Sequence, residues 1–139
     1  MRYRLEGLPA YFSYYQRPVK FLATPDGGMA AYRLSWQTGG WEPADDIADE
    51  VIGAVGGEIS ELDRDRFIDL TERNRAELLR GDGPVYALYE TVNAMVNDAL
   101  EQGRALTPEE KALVRGVRRR TYAMFEAELA RRGDPAADV

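Results

Sequence analysis

The sequence predicts a single α+β domain, in which a small antiparallel sheet of two to three N-terminal strands packs with about four helices. Three observations predict this class. Residues 1–41 hold nine of the fourteen aromatic residues, and part of this region alternates in the way that half-buried strands do. After Pro43 the apolar spacing changes to the helical period. At 139 residues, the chain can bury a core without disulfides or metal ions.

The predicted strands are centred on one hairpin. Residues 19–23 form the first strand, and the turn at 24–28 combines a proline with two glycines that permit positive φ. Residues 29–36 alternate and form the second strand, and a short third strand begins at Trp41. Residues 58–62 fit either a brief strand or an extended connector.

The helices follow in order along the chain. A short helix ends at Gly56, and Asp63 is a suitable N-cap for a second helix that runs to about residue 80. Pro84 suits the first position of a third helix. Thr107 and Glu110 have the spacing of a capping box, which starts the fourth. A connection of about four residues makes the last two helices antiparallel, so the fold ends in a helical hairpin.

These elements predict one domain over residues 1–133. Residues 1–62 contain the β-hairpin and the short helix, and residues 63–133 are mainly helical. Gly133 and Pro135 are expected to end the last helix, so residues 134–139 are predicted to form a flexible tail. No stretch is apolar enough for a membrane span or a signal peptide, so the expected location is the cytoplasm.

The missing residue types limit the chemistry. The chain has no histidine and no cysteine, which excludes cysteine nucleophiles, Ser-His-Asp triads and the usual zinc sites. No catalytic motif is recognisable, and we expect no cofactor. An enzyme would have to use carboxylates, tyrosines, arginines or its few lysines. The high ratio of arginine to lysine, together with abundant alanine, suggests a GC-rich bacterial genome.

Charge is unevenly distributed along the chain. The net charge is −6, but residues 42–72 carry eleven acids against two arginines, whereas residues 104–132 carry eight bases against four acids. A folded protein with this layout can present an acidic and a basic surface, which would steer charged partners.

The acidic segment contains Asp45, Asp46, Asp49 and Glu50. The three aspartates resemble the magnesium-binding aspartate-rich motif of isoprenoid synthases, which makes them metal candidates. Those enzymes are all-helical and much longer, however, and this chain has no second such motif. Acids are also favoured in a first helical turn by the macrodipole alone. A third alternative is a docking site for a basic partner, and we assign these four residues to partner binding.

The basic segment places Arg115, Arg118 and Arg119 on one side of the last helix. Guanidinium groups bind oxyanions in a bidentate way, so this stripe is a candidate contact for phosphate or an acidic partner. A solvated helix face is the alternative, and the net negative charge argues against a dedicated DNA-binding protein. The N-terminal aromatics, such as Tyr11 and Tyr15, fit either core positions or a protein or ligand interface.

Together these features predict a small acidic bacterial protein-interaction or regulatory module. Toxin-neutralising immunity proteins and other inhibitors share its size and charge, and the expected partner is another protein with a basic patch. Nucleic-acid or anion binding through the arginine stripe is the alternative, and a carboxylate-based enzyme is a further one. A homodimer through the C-terminal helices is also compatible with the sequence, since Tyr86, Met95 and Tyr122 flank their apolar stripe.

Overall fold

The chain forms one five-stranded antiparallel sheet with helices on both faces. The computed structural model describes residues 7–53 and 56–139. The sheet has the strand order β4-β3-β2-β1-β5. Its strands are β1 (Ala10–Tyr14), β2 (Arg17–Ala23), β3 (Met29–Leu34), β4 (Trp41–Pro43) and β5 (Ile59–Leu62). The α+β class is confirmed, but the prediction of two to three strands is wrong, because β1 and β5 complete a larger sheet.

The strand β1 is not predicted by the alternation of apolar and polar residues, because it lies inside the sheet and is buried. It pairs with β2 on one side and with β5 on the other, and four of its five residues are buried. A strand that is covered on both faces has no alternation of apolar and polar residues. The turn that follows, Tyr15-Gln16, also lacks the glycine, proline or asparagine that usually indicates a hairpin.

Within residues 7–53 and 56–139, four α-helices accompany the sheet. They are α1 (Ala48–Gly53), which follows a 3-10 turn at Asp45–Ile47, then α2 (Arg64–Leu78), α3 (Pro84–Glu101) and α4 (Pro108–Arg131). The Asp63 carboxylate accepts a hydrogen bond from the Arg66 amide at 2.8 Å, as an N-cap does. Thr107 and Glu110 form both hydrogen bonds of the capping box at the start of α4.

The two faces of the sheet bury separate apolar clusters. The pairs Ala10–Phe21 and Phe12–Val19 of β1 and β2 lie on the face covered by α1. Tyr11 belongs to the opposite face, where it packs with residues of α2, α3 and α4. The molecule therefore has three layers, with the sheet in the middle.

The helix α3 lies on the outside of the fold and packs mainly against α2 and α4. Its fully buried apolar residues are Tyr89, Val92 and Ala99, whereas Leu100 is 69% exposed. The apolar stripe of α3 is thus only partly covered. Within the described residues, no helix has both the length and the apolar composition needed to cross a membrane.

Residues 134–139, which the sequence predicts to be flexible, lie against the domain in the structure. Ala136 is buried, and its carbonyl oxygen accepts a hydrogen bond from the Lys20 ammonium. Asp134 accepts a hydrogen bond from the Trp41 amide at 3.0 Å. Asp138 forms an ion pair with Arg64 at 2.6 Å. These contacts connect the segment after α4 to β2, β4 and α2.

Candidate interaction surface

The most concentrated group of ionisable side chains is a buried charge network between the sheet and the helices. The Arg75 guanidinium of α2 donates to Glu72 at 2.8 Å and to Glu126 of α4 at 2.5 Å, and all three side chains are fully buried. The Lys20 ammonium of β2 lies 3.9 Å from Glu126 and is 2% exposed. Two cations therefore balance two anions in the core.

Neutral groups complete this network. Trp41 donates its indole N–H to Glu126 at 3.0 Å, and the Tyr89 hydroxyl donates to Glu72 at 2.7 Å. Arg75 also donates to the Gly39 carbonyl at 2.8 Å and 3.0 Å. Burial raises the pKa of Glu72, although Arg75 opposes this shift. Burial also raises the pKa of Tyr89, and the Glu72 carboxylate raises it further.

This network holds the layers together and does not form an open site. Clusters of shifted pKa values are typical of catalytic sites, but structural ion pairs produce them as well. Here Lys20, Glu72, Arg75 and Glu126 are at most 2% exposed, so a substrate would not reach them in this conformation. The network is not predictable from the sequence, because its members are spread over residues 20–126.

The acidic residues predicted to bind a partner are largely used within the fold. Asp45 accepts a hydrogen bond from the Ala31 amide at 3.2 Å, and Asp46 forms an ion pair with Arg33 at 3.0 Å. These contacts hold the 3-10 turn and α1 against the sheet.

The other two members of the acidic cluster lie in the first turn of α1. Glu50 accepts a hydrogen bond from the Tyr14 hydroxyl at 2.8 Å, and Asp49 is exposed. In the part of the chain that the structure describes, no three or more acidic side chains are grouped closely enough to hold a metal ion.

The three arginines predicted as one stripe have different surroundings. Arg119 forms an ion pair with Asp65 at 3.2 Å, and Arg115 is exposed. Arg118 is half-buried and lines a groove together with Arg73 of α2. Burial lowers the pKa of Arg118, and the charge of Arg73 lowers it further.

A different surface exposes large apolar and aromatic side chains. Tyr15, Trp36 and Leu78 are exposed by 56%, 44% and 46%, and they come from the β1–β2 turn, the β3–β4 loop and the end of α2. They line a groove of about 450 Å³. We call this region the Trp36 surface, and its lining residues are Tyr15, Gln16, Trp36, Leu70, Arg73, Asn74, Glu77 and Leu78.

Polar contacts hold the Trp36 ring in place despite its exposure. The indole N–H donates to Asn74 at 3.0 Å, and the Asn74 side-chain amide donates to the Gln16 carbonyl at 3.2 Å. The Arg17 guanidinium stacks on the ring, with its central carbon 4.5 Å from the ring centre. Arg17 is in turn paired with Glu42 at 2.9 Å. The ring is therefore fixed by Asn74 of α2 and Arg17 of β2, each of which is itself held by a further contact.

The turn beside this surface has an unfavourable backbone conformation for its sequence. Tyr15 and Gln16 have φ values of 51° and 68°, in the left-handed region that favours glycine and asparagine. Backbone strain of this kind tends to persist at functional sites, where the side chain is needed for function and not for the turn. The sequence contains the aromatic residues but gives no sign that these three side chains meet.

Comparisons of the chain with protein-family models, with curated proteins and with solved structures found no match.

Proposed function

We propose that this protein is a protein-interaction module, and that it captures a partner protein on the Trp36 surface. The observation that carries the proposal is an exposed tryptophan whose ring is already fixed by Asn74 and Arg17. Tryptophan, tyrosine and arginine dominate the binding energy of protein interfaces. A side chain that is ordered before binding loses little conformational entropy on association, which favours affinity.

The groove and the charge of the chain support a particular kind of partner. The groove of about 450 Å³ between Trp36 and Leu78 has room for an apolar side chain. Glu77 lies on the groove wall, and its carboxylate makes no hydrogen bond or ion pair with the described residues. The net charge of −6 attracts proteins of opposite charge. The proposed partner therefore has a basic surface with a protruding apolar side chain. This chain would then act on that partner as an inhibitor or an immunity-type protein.

Capture of a partner from the source lysate, followed by calorimetry with the purified partner, tests this proposal. Trp36→Ala and Leu78→Ala should each weaken binding by at least about tenfold, because hot-spot truncations cost about 2 kcal/mol or more. Leu113→Ala is the matched control, since Leu113 is 56% exposed on α4 and lies outside the Trp36 surface. It should leave the affinity unchanged.

Two outcomes would overturn the proposal. Retention of the same partner at the same affinity by Trp36→Ala would exclude the Trp36 surface. Equal losses in Trp36→Ala and Leu113→Ala would indicate a general effect of removing exposed apolar side chains. Sedimentation of the isolated protein is run in parallel, and a monomer–dimer equilibrium that Trp36→Ala abolishes would make a second copy of this chain the occupant instead.

A further inference from the structure

A groove between α2, α3 and α4 is lined by cationic and amide side chains, of which only Arg73 also lines the Trp36 surface. Its volume is about 380 Å³. The polar side chains that line it are Arg73, Glu77, Arg80, Asn93, Asn97 and Arg118. Three arginines face one carboxylate, so these lining groups carry a net charge of +2 in a protein whose total charge is −6.

Arg118 is the least satisfied of these cations. It is half-buried, and among the described residues it forms no hydrogen bond or ion pair. Burial lowers the pKa of Arg118, and the nearby charge of Arg73 has the same effect, while Asp69 and Glu72 oppose it. Arg73 likewise has no hydrogen-bond or ion-pair partner in the described part of the chain. Two guanidinium groups thus line one groove without a direct ion pair among the described residues, although Glu77 lines the same groove and Asp69 and Glu72 lie near Arg118.

The other groups of the groove are held in place by the backbone. One terminal nitrogen of Arg80 donates to the carbonyls of Glu77 and Leu79 at 3.0 Å and 2.8 Å, which leaves its remaining N–H groups unused. The Asn93 side-chain amide donates to the Ala76 carbonyl at 3.1 Å. The Asn97 side chain makes no such contact with the residues that the structure describes, and it lines the same groove. The groove therefore offers several unused donors at positions set by three helices.

We propose that this groove binds a small oxyanion of the phosphate class. Planar guanidinium groups match the oxygens of phosphate in a bidentate way, and a charge-assisted hydrogen bond is roughly twice as strong as a neutral one. A bound anion would also relieve the repulsion between Arg73 and Arg118 and compensate Arg118 for its lost hydration. The groove shares Arg73 and Glu77 with the Trp36 surface. It is nevertheless a separate site, because Arg80, Asn93, Asn97 and Arg118 line the groove and do not line that surface.

Titration of the full chain with inorganic phosphate and with pyrophosphate, followed by NMR at constant ionic strength, tests the site. The expected result is a saturable shift of the Asn97 side-chain amide and of the backbone near Arg118. Arg118→Gln and Arg73→Gln should each weaken binding by at least about tenfold, because each removes a charged donor fork. Arg115→Gln is the matched control, since it removes the same charge from an exposed position on α4 outside the groove.

Three further results decide the question. Shifts that stay linear over the whole titration, or an equal loss in Arg115→Gln and Arg118→Gln, would overturn the site and leave only general attraction of anions. Arg118→Lys should bind with intermediate affinity, because it keeps the charge without the fork; full retention of affinity would contradict bidentate binding. Trp36→Ala should bind phosphate with the affinity of the wild type. Failure of the partner proposal and failure of the phosphate proposal can therefore be distinguished.

Discussion

At the scale of single residues, the charges in the core are the most costly feature of this protein. Arg75 and Glu126 lose their hydration completely, and removal of one partner from a buried pair typically costs about 3–5 kcal/mol. The pair is tolerated because Trp41 and the Gly39 carbonyl supply further hydrogen bonds. Such a network stabilises the fold little compared with apolar packing, but it penalises alternative packings that would leave a charge unpaired.

Lys20 is the member of this network whose charge is held least firmly. Its ammonium lies 4.1 Å from the centre of the Trp41 ring and 3.9 Å from Glu126. Burial lowers the pKa of Lys20 from 10.5 to about 8, although Glu126 and Asp138 oppose this shift. Keeping this buried lysine charged at neutral pH therefore lowers the free energy of unfolding.

The stability of the wild type relative to Lys20→Met should rise between pH 8 and pH 10.5. In that window the unfolded chain binds the lysine proton and the folded chain has released it, so increasing pH favours folding. The full change is at most on the order of 3 kcal/mol, since one pKa unit corresponds to about 1.4 kcal/mol. Urea denaturation of both proteins at several pH values measures it. A constant difference from pH 7 to pH 11 would contradict the lowered pKa of Lys20.

At the scale of elements, the β1–β2 hairpin joins two interior strands of the sheet through a turn that its sequence does not favour. Each non-glycine residue in the left-handed region costs roughly 1–2 kcal/mol. The cost is tolerated because β1 and β2 are interior strands whose register is fixed. Tyr14 pairs with Arg17, which leaves only two residues for the turn. The same geometry exposes Tyr15 beside Trp36, which is consistent with selection of Tyr15 for binding.

Gln16→Gly should stabilise the protein by about 1 kcal/mol, because glycine adopts a φ of 68° without steric cost. The contact of Gln16 with Asn74 uses its backbone carbonyl and is retained in the variant. Thermal or urea denaturation gives the difference. Gln37→Gly is the control, since Gln37 has no positive φ, and it should be neutral or destabilising. Equal effects of the two substitutions would show that the turn is not strained.

At the scale of the whole molecule, the segment after α4 closes the space between the sheet and the helices. It supplies the Ala136 carbonyl to Lys20, the Asp134 carboxylate to the Trp41 amide, and an ion pair to Arg64. Without it, the Lys20 ammonium would lose its only carbonyl acceptor in the described part of the chain. This segment therefore contributes to the fold although no helix or strand forms in it.

Removal of residues 134–139 should lower the free energy of unfolding by about 3 kcal/mol. Each buried donor left without an acceptor costs about 1–3 kcal/mol, and Lys20 and the Trp41 amide both lose theirs. Urea denaturation of the truncated protein measures the loss. Removal of Val139 alone is the control, because this residue is 87% exposed and should not affect stability. A truncated protein as stable as the full chain would mean that the segment is only loosely attached.

Prediction from sequence succeeded for features that depend on neighbouring residues. The N-cap at Asp63 and the capping box at Thr107 and Glu110 are present, because their hydrogen bonds join residues three positions apart. Prediction failed for the strand β1, whose burial on both faces removes the alternation on which strand prediction depends. It also did not anticipate that Asp46 pairs with Arg33 across thirteen residues of chain.

The sequence by itself therefore determined the α+β class, the helix starts, the uneven charge and the absence of histidine and cysteine chemistry. Only the tertiary structure decided how many strands the sheet has, which charges are buried together and where Trp36 and Arg118 face open grooves. The physical reason is the range of the interactions. Periodicity and caps act over a few residues, whereas pairing of buried charges and exposure of a ring depend on distant segments that meet only when the chain folds.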